Sequence, residues 1–289
     1  MPPPTPLSPP ELSYLYTSLT LSPPIRPDLR APSQFRPIVA ECSFLPHCNG
    51  SARICMAEAG ECIVGIKAEV EKDRTTKYAT IIERDKWIEV TVEVAGGGAS
   101  GPGSGVGVGG ISGAERRAVG GWSSDIGPVL LLTPTSHPSP LLLSAAANVA
   151  LDSTFLPKLT SPHEVDDIPA FSDDWAISTP LYEPATFPRP PISLPIVAVG
   201  DNVFLDPSVA EVAAAEVGLV VTLTLADSEG NCDLVGVRGM EVGRGGGKEG
   251  ERKGTSRKLL RQMVDACIRE AGDVIKGLGE STRQQMFRA

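Results

Sequence analysis

The sequence contains no Cys-x-x-Cys pair and no His-x-x-x-His. Its six cysteines, Cys42, Cys48, Cys55, Cys62, Cys232 and Cys267, therefore lack the spacing of a zinc site. They read as reduced, mostly buried thiols of a cytosolic or nuclear protein. No apolar run is long enough to cross a bilayer. The longest, such as Val129–Leu132 and Leu141–Leu143, fall far short of the roughly 20 residues that a helical span needs. Met1–Pro10 is proline-rich and has no apolar stretch, so no secretory signal is expected. Aromatics are scarce, at 5%, which leaves a core of Val, Leu, Ile and Ala. Positive charge is short as well. The formal net charge is −9, so nucleic acid is not bound by bulk charge, and any RNA contact needs a local basic patch or a surface shared with another chain.

Familiar catalytic frames are also missing. The glycines after the Trp87–Val94 segment do not form GxGxxG, and no helix follows them closely, so nucleotide binding there is not expected. Gly243–Lys248 lacks the first glycine of GxxxxGK[ST], and Lys248 is followed by Glu249. There is no GxSxG, and His47, His137 and His163 sit in loop-like contexts outside any triad. The acidic pairs Asp166-Asp167 and Asp173-Asp174 lie in a proline-rich stretch, where they read as solvating charges. Neither a metal nor a cofactor is expected.

What is present is an ordered run of strand and helix signals. Residues 1–25 form a proline-rich tail with a short helix, Glu11–Leu21, along which Leu12, Leu15, Tyr16 and Leu19 recur at helical spacing. Arg26–Arg30 follows as a polar extended stretch. Strands are expected at Pro37–Cys42, Ala52–Met56 and Glu61–Val70, and at Trp87–Val94, whose alternation suits a half-buried strand of an antiparallel sheet. Glu71–Asp85 reads as a charged loop. Residues 95–121 are a Gly-rich low-complexity interruption. A strand at Trp122–Leu132, a turn at Pro134–Pro140 and a helix at Leu141–Phe155 complete a first half spanning 26–160. Residues 161–191 are an acidic, proline-rich exposed connector. The second half, 192–289, holds strands at Ser193–Val199, Val203–Leu205, Leu219–Ala226 and Asp233–Arg238, with Pro207–Glu216 helical or a broad turn. Beyond the basic, glycine-rich loop Arg244–Gly254, the strongest helix runs from Thr255 to Leu278. It has Thr255 or Ser256 as N-cap and Gly279 as its stop, and Leu260, Met263, Val264, Cys267, Ala271, Val274, Ile275 and Leu278 line one face. Strands followed by a helix, twice over, make an α+β chain of two similar halves.

Two blocks carry a family resemblance. The first holds Arg26-Pro27-Asp28-Leu29-Arg30, Phe35-Arg36-Pro37-Ile38, Asn49-Gly50-Ser51-Ala52-Arg53 and Glu61–Val70. The second runs from Val197 to Val237 and holds Gly200–Pro207, Glu211, Glu216 and Leu219–Thr222. The ordered set resembles the RNase PH family, and within it the non-catalytic subunits of the eukaryotic RNA exosome. Arg26–Arg30 is close to that family's RPDGR. The resemblance covers most of residues 7–94 and 120–278. It implies an RNase PH-like domain of two pseudo-repeated halves, the first similar to ribosomal protein S5 domain 2 and the second to the RNase PH C-terminal half. At 95–121 the family would place a helix and the start of a strand, and this chain departs from it there.

The resemblance also sets a test for chemistry. Active members use arginines for phosphate and two nearby acids for Mg²⁺. Asp206 fits the first acid, but the second position is Val212, and an apolar group cannot ligate a hard cation. The phosphate-binding segment should follow Val129–Leu132, where residues 133–140 offer neither Gly nor Arg. The chain thus reads as having no catalytic residues, with Asp206 and Val212 marking a degenerate metal position. The implied role is passive assembly: a six-membered ring with other RNase PH-like subunits, cap subunits carrying S1 or KH domains, and RNA threading the central channel, without membrane association, in nucleus, nucleolus and cytoplasm. Lys72, Arg74 and Lys77 match the family's pore-facing loop and are the expected phosphate contacts, acting by counterion release without sequence preference. An active phosphate-dependent 3′–5′ exoribonuclease is the competing reading, and a monomeric binding module a third.

Overall fold

The computed structural model describes residues 7–72, 88–94, 117–119, 122–133, 139–160, 170–183, 187–243 and 255–286. The expected charged loop from 73 onward, most of the Gly-rich tract, the basic loop 244–254, and His137, His163, Asp166 and Asp167 lie outside them, whereas Glu71 and Lys72, expected in that loop, end a strand. Helix α1 spans Pro9–Thr20. The first sheet holds β1 (Ile38–Cys42), β2 (Gly50–Met56), β3 (Gly60–Ile66), β4 (Ala68–Lys72), β5 (Ile88–Val94), β6 (Arg117–Val119) and β7 (Trp122–Thr133), in the order β1-β2-β3-β7-β4, with β5 and β6 also on β7. The strand expected at Glu61–Val70 is broken at Lys67. Asn49 is the cause: its amide donates to Ile66 O, and its side-chain Oδ1 accepts from Ala68 N, each at 2.8 Å.

Two further expectations are corrected here. β5 runs parallel to β7, not antiparallel. Alternation reports which face is buried and is silent on direction, and the stretch between Val94 and Trp122 is long enough in sequence for the connection a parallel pair requires. The low-complexity tract also contributes β6, which pairs antiparallel with Trp122–Ser124. Three residues are too short to reveal a period.

Helix α2 (Pro140–Asp152) ends before Phe155 because the hydroxyls of Ser153 and Thr154 turn back onto Ala150 O, at 2.9 and 2.7 Å. Gly50 permits the close approach of β2 to this helix. A Cβ there would lie 2.0 Å from Thr154 Oγ1. Four two-residue strands follow: β8 (Phe155–Leu156) pairs with β11 (Thr179–Pro180), and β9 (Leu159–Thr160) with β10 (Ala170–Phe171). The expected exposed connector is exposed at 173–177, with Trp175 55% exposed, but docked further on. Leu181 and Tyr182 are buried, and Arg189 pairs with Asp152 at 2.6 Å.

The second sheet holds β12 (Ile192–Val199), β13 (Asn202–Leu205), β14 (Val217–Leu225) and β15 (Cys232–Gly239), in the order β13-β12-β14-β15, all antiparallel; α3 (Val209–Ala214) precedes β14. Helix α4 runs Arg257–Met286, well past the expected stop at Gly279. Tertiary contacts carry it on. Thr282 is buried and bonds Leu278 O, while the Gln285 amide accepts from Cys42 N at 2.8 Å and donates to Ala40 O.

α2 and α4 lie side by side between the two sheets. Ala52, Ile54, Cys62 and Val64 of the first sheet meet Leu142, Ala146, Met263, Cys267 and Ile275 of the helices, and these meet Leu194, Ile196, Val221 and Leu223 of the second. A core made of small aliphatic residues follows from the shortage of aromatics. The opposite face of the second sheet carries Val197, Val199 and Phe204, covered by Leu15 and Leu19 of α1 and by Ala214.

Candidate functional site

The segment Arg26–Arg36 crosses the second sheet at the β13–α3 junction, where it builds a buried ionic cluster. The sequence reading made Arg26–Arg30 a polar extended stretch. The structure inverts its polarity. Arg26 is 1% exposed, whereas Leu29 is 83% exposed. Arg26 grips Glu211 with two parallel hydrogen bonds, Nε to Oε1 at 2.7 Å and Nη2 to Oε2 at 2.8 Å. Its remaining N–H groups donate to Ala31 O, Leu205 O and Asp206 O at 3.2, 3.3 and 3.1 Å. The guanidinium also lies over the Phe204 ring, 5.7 Å from its centroid. Ser208 caps α3 and completes the Glu211 shell: its backbone amide donates to Glu211 Oε2 at 2.8 Å, and its hydroxyl accepts from Glu211 N.

Asp206 stands at the end of β13 with φ of 47°, fully buried. Four donors converge on its carboxylate: Arg36 N and Nε and Arg30 Nη1 reach Oδ2 at 2.9, 2.9 and 3.2 Å, and Arg36 Nη2 reaches Oδ1 at 2.5 Å. Arg30 is itself held by Asp28, Nε to Oδ2 at 2.6 Å. Burial alone would lower the Arg36 pKa, but its hydrogen bonds and charge attraction to Asp206 outweigh it and hold the guanidinium above its ordinary value. A carboxylate has about four lone-pair sites. Asp206 Oδ2 takes three of the four donors and Oδ1 the fourth, all from arginine, and a cation placed there would face two guanidinium charges.

The other residues singled out from the sequence fall elsewhere. Val212 is half-buried on α3 and packs with the α1 cluster. Glu211, its neighbour, turns inward to Arg26. Among the described residues no three His, Cys, Asp or Glu gather as metal ligands. Lys72 ends β4 opposite Trp122; Arg74 and Lys77 lie outside the described residues. The first turn of α2, beside residues 133–140, buries Leu141, Leu142 and Leu143. In the sequence Arg26, Arg30 and Arg36 stand out only as motif residues, without a role. The available signal was a pair of Arg-Pro steps in the first block and two acids, Asp206 and Glu211, flanking a capping serine in the second.

No family model matches the chain. Two curated proteins resemble it along most of its length. Exosome complex component RRP42 of Saccharomyces cerevisiae is 34% identical over 235 residues, covering 75% of this chain and 81% of that protein. Exosome complex component rrp42 of Schizosaccharomyces pombe is 27% identical over 94% of this chain and 97% of its own length. Among solved structures the fold matches an archaeal exosome core with TM-score 0.57, at 18% identity over 92% of this chain and 96% of that one. It also matches the Archaeoglobus fulgidus exosome with RNA bound to the active site, with TM-score 0.56, at 17% identity over 91% and 96%. Rice Rrp46 gives TM-score 0.56, at 15% identity over 90% and 100%. These structures establish an RNase PH-like α+β fold, and with the two sequence relatives they lead to one conclusion: the chain belongs to the RRP42 family of exosome complex components.

Proposed function

We propose that this chain is a non-catalytic core subunit of the RNA exosome ring, supporting 3′–5′ RNA processing and degradation, including rRNA maturation, by assembly and RNA channelling. One observation carries the non-catalytic reading. Asp206, the acid left at the metal position implied by the RNase PH resemblance, is buried and paired with Arg36 and Arg30, and Val212 fills the second position. A metal ligand needs negative charge that is not already neutralised; this carboxylate, clamped between two arginines, serves as a structural counter-ion instead. The partners are the other RNase PH-like subunits of a six-membered ring, S1/KH cap subunits and RNA in the central channel. Lys72, Arg74 and Lys77 are the proposed phosphate contacts. The compartments are nucleus, nucleolus and cytoplasm. Residues 26–160 and 192–289 form the two RNase PH-like halves.

Purified chain incubated with oligo(A), inorganic phosphate and Mg²⁺ should release no nucleoside diphosphate. Release that disappears in Asp206→Asn would overturn the reading in favour of a phosphorolytic nuclease. Co-expression with RNase PH-like chains of the same genome should yield a complex by size-exclusion chromatography, whereas a persistent monomer would favour a free-standing binding module.

A further inference from the structure

An asparagine followed by glycine is chemically labile, because a glycine amide, with no Cβ beside it, readily reaches the asparagine side chain. The glycine nitrogen attacks Cγ and ammonia leaves, closing a succinimide ring. Water then opens that ring at one of its two carbonyls, giving aspartate or isoaspartate. In this chain Asn49 is followed by Gly50. Asn148 and Asn202 precede the β-branched Val149 and Val203, which crowd the attack, and Asn231 precedes Cys232. The sequence therefore holds one fast site of this kind.

Such a pair ordinarily sits in an open turn. Here it opens β2, and each hydrogen-bonding group of Asn49 is engaged. Its backbone N–H donates to Ile66 O at 2.8 Å, and its carbonyl accepts from Phe155 N at 3.0 Å. Its side-chain Oδ1 accepts from Ala68 N at 2.8 Å, and Nδ2 donates to Phe155 O at 3.4 Å. Ring closure needs Cγ to swing onto Gly50 N, which breaks both side-chain bonds. Gly50 is buried against the end of α2, so its backbone cannot turn to meet the side chain. The native fold thus holds the two reacting atoms apart from both sides.

We infer that Asn49-Gly50 is a fold-gated deamidation site: the unfolded chain converts there, the native chain does not, and the converted chain is barred from the fold. Neither product fits. Ionised aspartate only accepts hydrogen bonds, so it ends the donation to Phe155 O and sets negative charge against that carbonyl. Isoaspartate routes the main chain through Cβ and adds one methylene immediately before Gly50. A Cβ on Gly50 would already lie 2.0 Å from Thr154 Oγ1, 2.7 Å from Ala150 O and 2.8 Å from Thr154 Cα, so a lengthened backbone cannot follow β2 past α2. Ala68 lies 19 residues beyond Asn49 and Phe155 lies 106 beyond it, so the side chain is locked only when the distant segment docks. A chain that lingers unfolded is therefore disabled irreversibly. The inference stands apart from the ring reading, since it uses only contacts within this chain.

The test incubates the full chain at pH 8, one portion native and one in guanidinium chloride, and follows ammonia release and peptide masses. The unfolded portion should convert residue 49 to aspartate and isoaspartate, and the native portion should do so at least about tenfold more slowly. In guanidinium chloride Asn49→Gln should lose most of the ammonia release, because the larger ring it must form closes slowly. Native conversion as fast as that of the unfolded chain would overturn the inference, and so would undiminished release from Asn49→Gln. The product itself is tested by Asn49→Asp made directly, which should melt well below the wild type or fail to fold. Melting at the wild-type temperature would mean that the fold accepts the converted chain, and the inference would be lost.

Discussion

Replacing Asp206 by Asn separates a structural counter-ion from a metal ligand, because the two roles predict opposite signs. The change keeps the side-chain shape and removes the charge. It also turns one acceptor oxygen into an N–H donor, which must then face Arg36 or Arg30 at about 3 Å. Arg36 is 7% exposed, so water cannot take over its lost bonds. Breaking a buried pair by deleting one partner costs about 3–5 kcal/mol. Total stabilities of domains run to roughly 5–15 kcal/mol, so the loss is a large share. At about 2–4 °C per kcal/mol for a chain near this size, Tm should fall by about 10 °C. Urea titration followed by circular dichroism measures the loss directly, provided the slope stays unchanged. A double-mutant cycle with Arg36→Met should recover about 2 kcal/mol of coupling. A metal ligand behaves otherwise, since relieving crowded charge at a functional site stabilises the fold. An Asp206→Asn variant as stable as wild type, or more so, would refute the argument.

Other outcomes follow from single residues. Leu29 is exposed and held at φ of 60°, a region that suits glycine, and it stands where the RPDGR pattern has Gly; Leu29→Gly should raise Tm slightly, the relief of about 1–2 kcal/mol of strain exceeding the glycine entropy cost of about 0.5–1 kcal/mol. Burial pushes the thiols of Cys62 and Cys267 up to about 12, so native alkylation at pH 8 should label neither, and mass spectrometry should find both modified only after denaturation. The hydrogen bond from Arg53 holds the Glu61 carboxyl below its ordinary range. Its contribution to stability should therefore be complete above the ordinary carboxylate pKa and be lost as pH falls through the lowered value. Glu61→Gln should flatten that slope at low salt, as read from Tm against pH.

Much of this fold was legible from periodicity. The apolar face of α4 is as expected, with Met263, Cys267, Ala271, Ile275 and Leu278 all buried, because a 3.6-residue period encodes a buried stripe directly. The end of that helix was not legible. Gly279 is a fair local stop, and only contacts with β1 show why the helix continues through it. Strand direction was lost for a similar reason, since the alternation in β5 suits either pairing. At the site, Asp206 was legible as a position and illegible as a role. Its partners precede it in the chain by most of the molecule, and nothing local tells a buried Arg26 from an exposed one. Charge alone argued for the surface, and it was the matching acids, Asp206 and Glu211, that drew these arginines inside.

The grip of Gln285 on β1 has a consequence for synthesis. The first sheet is translated early, but α4, the helix that seals its margin, is made only after the second sheet. Arg26 and Arg36 must likewise wait for Asp206 and Glu211. Until those later segments emerge, the nascent chain therefore carries two desolvation-prone cations and then an unsealed β1 margin, and chaperones should hold it longer than its size alone would demand.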